Sequence, residues 1–141
     1  MKLLIVDDNR DITRVLSSIV RFFGHDVDEA GDGHEAIEQL QKNQYEVVIT
    51  DAHMPRIDGI ELCKYLKLQF PSVYIIGMSA NASSLIELEE AGADICIPKP
   101  FGMNKLEKAI ESRFYSSRNQ SASLRSVAQA GKAWIQEKNL T

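Results

Sequence analysis

"KLLIVDDNRD", residues 2–11, runs four apolar residues into two adjacent carboxylates, Asp7 and Asp8. A short, unbroken apolar run of this kind is expected of a strand covered on both faces. Neighbouring carboxylates repel and raise each other's pKa, so the end of this strand must serve something that wants concentrated negative charge. "VVITDAHMP", residues 47–55, poses the same question at Asp51.

Working outward, two patterns alternate. After the first run, Ile12, Val15, Leu16, Ile19, Val20 and Phe23 recur at helical spacing, and Gly24 stops the helix. Residues 25–30, "HDVDEA", form a weak, polar strand candidate. Residues 33–43 predict a helix with Ala36, Ile37 and Leu40 inward. "EVVIT" (46–50) is a buried strand, and 58–70 is a helix ended by Pro71. "VYIIGM" (73–78) is a strand, 83–92 a short helix closed by a glycine, and "DICI" (94–97) a fifth strand. Residues 103–114 form a fifth helix with Met103, Leu106, Ile110 and Phe114 on one face.

Five strand–helix units predict a parallel sheet with helices on both faces. In such sheets the ligand site lies beyond the carboxyl ends of the strands. The residues following the apolar runs are Asp7 and Asp8, Asp51, Ser79 and Lys99. Three carboxylates at one point suit a hard cation such as Mg²⁺, which takes oxygen ligands. Lys99 would be out of place in a pure cation site but fits a phosphoryl oxygen, and Ser79 can donate a hydrogen bond to another. Asp51 then reads as a carboxylate nucleophile that accepts a phosphoryl group. Taken singly, a DD pair, a strand-end serine and a lysine before proline are ordinary loop residues. Their joint placement after four strands is what carries the reading.

The totals set bounds. The chain has 141 residues with 44% apolar, enough for one ordinary domain with a proper core. Net charge is −4, which argues against non-specific nucleic-acid binding, where a basic patch is expected. Residues 1–118 carry 13 Lys/Arg and 19 Asp/Glu, and residues 119–141 carry 3 and 1, so the acidity belongs to the main body. Two cysteines, Cys63 and Cys96, make no disulfide framework. No apolar run approaches the roughly 18 residues of a membrane span, and the first is too short for a signal peptide. A cytoplasmic protein that does not engage membranes is expected.

The motifs resemble the receiver domain of two-component response regulators. The match is "VDDN" (6–9), "TDAHMPRIDG" (50–59), "MSA" (78–80) and "KPF" (99–101), in order over residues 1–118. The resemblance implies a flavodoxin-like sheet of order 2-1-3-4-5 and phosphoryl transfer to Asp51 from a histidine kinase or phosphotransfer protein. It implies Mg²⁺ held by Asp8, Asp51 and the backbone carbonyl of His53, with Asp7 acting mainly through water. Ser79 and Lys99 would bind the phosphoryl oxygens, Ala80 would border them, and the Lys99–Pro100 peptide would be cis. His53 and Asn81 would flank the approach of the water that returns Asp51 to its free state, giving an acyl phosphate lasting minutes. The order places strands two and five at the edges, which suits the polar second strand and Pro98 in the fifth.

One position departs from the family. Its members usually carry Tyr or Phe three residues before the lysine, as a ring that swings inward on phosphorylation. Here that switch position is Cys96, too small to report a rotation, so the usual aromatic relay is absent.

Rival readings fare worse. An aspartate-nucleophile phosphatase of the haloacid dehalogenase kind needs a second Asp two residues past its nucleophile, but His53 follows Asp51 and Asn9 follows Asp7 at that spacing. A receiver-shaped interaction module that is never phosphorylated would normally have lost one of the five site residues. A flavin or nucleotide binder would need a glycine-rich phosphate loop. Beyond the fifth helix, "SSRNQSAS" (116–123) reads as a linker, and Leu124, Val127, Trp134 and Ile135 fall at helical spacing with Gly131 between. That tail reads as a helix packed on its own domain, a surface for a partner or second copy, or the start of an output domain. The resemblance places the signalling face on the fourth helix, fifth strand and fifth helix, where an output partner or homodimer would dock.

Overall fold

The computed structural model describes residues 1–115. Strands β1 (Lys2–Val6), β2 (Asp26–Ala30), β3 (Val47–Asp51), β4 (Tyr74–Ser79) and β5 (Ile95–Pro98) alternate with α1 (Arg10–Phe22), α2 (Gly33–Lys42), α3 (Gly59–Gln69) and α4 (Ala82–Ala91). A fifth helix, α5, runs over 103–115. The strands form one parallel sheet in the order β2-β1-β3-β4-β5, as expected from the sequence, with the polar strand and the proline-bearing strand at its edges.

Alternation along the strands builds a core on each face of the sheet. Leu4, Val6, Val48 and Ile75 point to one side and pack with Ala36 and Leu40 of α2, Leu62, Cys63 and Leu66 of α3, and Leu88 of α4. Leu3, Ile5, Val47, Ile49, Ile76 and Met78 point to the other, where Leu16 and Val20 of α1 and Leu106, Ala109 and Ile110 of α5 cover them. Each large aliphatic so buried contributes about 1.5–3 kcal/mol. This two-sided burial is why the central strands read as unbroken apolar runs.

Helix starts follow a common rule. Asn9, Asp32, Asp58 and Asn81 occupy the N-cap positions of α1 to α4, and each side chain accepts a backbone N–H of the first turn. Gly24 and Gly92 adopt positive φ of 92° and 116° just past α1 and at the end of α4, the left-handed turn that a Cβ disfavours.

Several boundaries differ from those read in the sequence. Asp51 and Ser79 are the last residues of β3 and β4, not the first beyond them, because the ladder continues through the pairs Asp51–Met78 and Ser79–Pro98. Val15 of α1, on the apolar face expected from periodicity, is 58% exposed. On α5 the buried face is Leu106, Ala109 and Ile110, while Met103 and Phe114 are half exposed. Helical spacing gives the direction of a face but not how far the neighbouring sheet extends beneath it.

The chain divides into two compact units, residues 1–110 and 111–141. The linker at 116–123 and the apolar tail of Leu124, Val127, Trp134 and Ile135 lie outside the described residues. Among the described residues no helix is long and apolar enough to cross a membrane.

Candidate functional site

Three parallel strands end side by side, and their register aligns the ends of β1, β3 and β4 on one edge of the sheet. Asp7 follows β1 and is only 2% exposed. Its Oδ1 accepts the Asn9 N–H at 2.9 Å, and its Oδ2 accepts from Lys99 Nζ at 2.9 Å. Asp8 beside it is exposed. Asp51 closes β3, with Oδ1 2.8 Å from Lys99 Nζ and Oδ2 accepting the His53 N–H at 3.2 Å. One carboxylate oxygen from each of Asp7, Asp8 and Asp51 lies within 4.8 Å of the others.

Lys99 comes from the far side. Its N–H donates to the Ser79 carbonyl at 2.9 Å, the peptide that follows it is cis, and its ammonium reaches across to both aspartates. Burial acts to lower the Lys99 pKa, but hydrogen bonds and charge from Asp51 and Asp7 outweigh it and raise the value. The ammonium is held firmly charged. Three carboxylates against one ammonium still leave the cluster net negative, a donor set that fits a hard divalent cation.

Ser79 is 4% exposed and its Oγ accepts the Asn81 N–H at 3.1 Å. An oxygen that accepts in this way can still direct its own proton to an incoming oxygen. Ala80 and Asn81 follow on the exposed rim. The Asn81 side chain is engaged in capping α4, accepting from Ser83 N at 2.9 Å and Ser83 Oγ at 2.7 Å. His53 is engaged too: its Nε2 lies 2.6 Å from Ser84 Oγ. The structure therefore brings Asp7, Asp8, Asp51, Ser79 and Lys99 to one place, with His53, Ala80 and Asn81 at its border. Cys96 lies apart, half buried on β5, where burial and then the nearby Glu89 push its thiol pKa up. Cys63 is fully buried on α3 and its thiol is pushed up to about 12.

Two parts of the surroundings were not foreseen. Arg56, a non-glycine residue with φ of 66°, clasps Asp32 through Nε at 2.8 Å and a terminal nitrogen at 2.6 Å. Ser84, buried in the first turn of α4, is the partner of His53. No spacing in the sequence marks either pair, because each joins segments that only the folded sheet brings together.

Comparisons with known proteins agree with this geometry. The family model "response regulator receiver domain" matches residues 3–111. The chain is 34% identical over 108 residues to the response regulator MprA of Mycobacterium leprae, covering 75% of this chain and 47% of that protein. It is 33% identical over 128 residues to the CpxR homolog of Haemophilus influenzae, a transcriptional regulatory protein, covering 89% of this chain and 56% of that one. The chain thus spans about half the length of these relatives. Among solved structures it resembles a putative response regulator from Chloroflexus aurantiacus (TM-score 0.76, 32% identity, 79% of this chain and 95% of that one). It also resembles the chemotaxis protein CheY4 of Vibrio cholerae (TM-score 0.73, 30% identity, 79% and 96%).

Proposed function

The chain belongs to the response regulator receiver family, and on that premise we propose that it takes a phosphoryl group onto Asp51 from a histidine kinase or phosphotransfer protein. The observation that supports this most directly is the Asp51 carboxylate, held 2.8 Å from Lys99 and within 4.8 Å of two further carboxylates. A lone surface aspartate would have neither the positioning nor the charge partners.

An Asp51 oxygen forms the new bond to phosphorus as the phosphorus–nitrogen bond of a donor phosphohistidine breaks, and the freed imidazole takes up a proton. The Lys99 ammonium then faces the phosphoryl oxygens, and the Ser79 hydroxyl donates to one of them. Asp8, Asp51 and the His53 carbonyl would hold Mg²⁺, which would supply positive charge against the negative charge of the transferred group. Asp7, with one oxygen on Asn9 and the other on Lys99, orients the ammonium. Return to the free state is attack by water on phosphorus, with Asp51 as leaving carboxylate, and makes the protein a self-resetting signal carrier. The receiver is residues 1–118. The face of α4, β5 and α5 would serve an output partner or a second copy.

The test is incubation with acetyl phosphate and Mg²⁺ followed by intact mass. One phosphoryl group is expected per chain, and none when Mg²⁺ is chelated. A mass that never changes, or changes equally in chelator, would refute the reading.

Metal binding has its own signature. Mg²⁺ that binds only the folded chain raises the melting temperature by mass action, because it relieves carboxylate repulsion. Asp8→Ala should remove most of that increase, as measured by differential scanning calorimetry with and without Mg²⁺. An equal increase in the variant would show that Asp8 is not a ligand.

A further inference from the structure

The family's aromatic relay has no counterpart at Cys96, yet α4 is tied to the phosphoacceptor by another route. His53 touches both. Its backbone N–H donates to Asp51 Oδ2 at 3.2 Å, and its ring Nε2 lies 2.6 Å from Ser84 Oγ, 31 residues along the chain. Ser84 sits in the first turn of α4 and is 3% exposed. The Ser84 hydroxyl is buried and the exposed His53 ring is its hydrogen-bond partner, as a buried polar group requires one.

The other end of the same turn is tied as well. Asn81, the N-cap of α4, donates its N–H to Ser79 Oγ, and its side chain holds Ser83. The first turn of α4 thus hangs from the Ser79 hydroxyl at the end of β4 and from His53, whose backbone N–H meets Asp51.

We infer that His53 and Ser84 are positioning residues that couple the state of Asp51 to the first turn of α4, in place of a side-chain relay at residue 96. This rests on Asp51 as the phosphoacceptor. The His53 N–H now donates to an anionic carboxylate, a charge-assisted hydrogen bond. Esterification of Asp51 takes the charge from that carboxylate and places it on the phosphoryl oxygens. The preferred acceptor of the His53 N–H moves with it, and the His53 ring carries the displacement to Ser84. Cys96 is small, half buried, and its Sγ packs against Gly77 on the opposite edge of β4 from β3.

The test uses the full chain, labelled with ¹⁵N, as wild type, Ser84→Ala and Ser84→Thr. Each is treated with acetyl phosphate and Mg²⁺, with uptake followed by intact mass and α4 followed by backbone amide shifts at residues 82–86. All three should take up one phosphoryl group. The α4 shift changes should fall by more than half in Ser84→Ala and return in Ser84→Thr, which keeps the hydroxyl. The His53 ring ¹⁵N signals should move in Ser84→Ala before any phosphorylation. Equal α4 responses in wild type and Ser84→Ala would overturn the coupling. A second arm needs no phosphorylation: Asp51→Asn removes the same negative charge. It should perturb the α4 amides in the wild-type background more than in Ser84→Ala, and an equal or absent perturbation in both overturns the inference. Failure of every variant to gain mass would instead strike at the role of Asp51, leaving the second arm to decide the coupling.

Discussion

Asp51→Asn is expected to abolish phosphoryl uptake while leaving the fold at least as stable as wild type. The amide nitrogen and oxygen are poor nucleophiles toward phosphorus, and no other carboxylate takes its place. Asp7 has both oxygens committed to Asn9 and Lys99, and Asp8 has no ammonium drawn to it within ion-pair distance among the described residues. Stability follows from opposing charges. Asp51 repels Asp7 and Asp8, all within 4.8 Å, and attracts Lys99 at 2.8 Å. Unit charges about 4 Å apart interact by about 4 kcal/mol at an effective dielectric near 20, so two repulsions slightly outweigh one attraction. Lys99 keeps Asp7 as partner, so removing the Asp51 charge orphans no ion. The melting temperature should hold or rise.

The same variant makes a pH prediction. The folded-state pKa of Lys99 is raised despite its burial, with Asp51 and Asp7 as the groups that raise it. A raised lysine contributes stability that is fully present below its unfolded pKa and is lost as pH rises through the folded value. Without the Asp51 charge the folded value falls, so the stability lost in alkali should be smaller in Asp51→Asn and complete at a lower pH, with its onset near the unfolded lysine value unchanged. Intact mass after acetyl phosphate and melting curves across alkaline pH check both parts. Undiminished uptake by the variant would remove Asp51 from its role.

The strand ends were legible because a parallel sheet has one physical consequence that survives without coordinates: all its carboxyl ends face the same way. Asp7, Asp8, Asp51, Ser79 and Lys99 could be gathered on that ground alone. The edge positions of β2 and β5 were legible from polarity and from Pro98. What could not be read was anything set by distance across the fold. The bond between His53 and Ser84 joins a loop after β3 to a helix after β4, and neither residue type announces a partner. Arg56 and Asp32 are likewise joined by the folding of two loops. Periodicity also misled where it ran past the edge of the sheet, as at Met103 and Phe114, whose side chains share a helical face with Leu106 and Ile110 but half escape burial.

Gly59→Ala is expected to destabilise the protein severely, and for a reason of space. A Cβ at Gly59 would collide with the carbonyl oxygen of Asp51 and lie 2.9 Å from its carbonyl carbon and 3.0 Å from Ala52 Cα. All three neighbours are backbone atoms, so no side chain can rotate out of the way. In isolation alanine would favour the first residue of α3 by up to about 1 kcal/mol over glycine. Overpacking costs about 1–3 kcal/mol even where side chains can adjust, and here the N–H of Gly59 is also fixed to the Ala52 carbonyl at 2.9 Å. The start of α3 must separate from the end of β3, breaking that bond and moving the peptide that carries Asp51. A net loss of about 3 kcal/mol corresponds to a fall in melting temperature of roughly 10–20 °C for a domain of this size. Phosphoryl uptake should fall with it, because the displaced carbonyl belongs to the phosphoacceptor itself. Gly102→Ala is the control. A Cβ there meets nothing within 4 Å, so the same chemical change should leave the melting temperature and uptake near those of wild type. A Gly59→Ala protein that melts with Gly102→Ala would mean that α3 and β3 can part without cost, and that the close packing of Gly59 on the Asp51 peptide does not hold the phosphoacceptor in place.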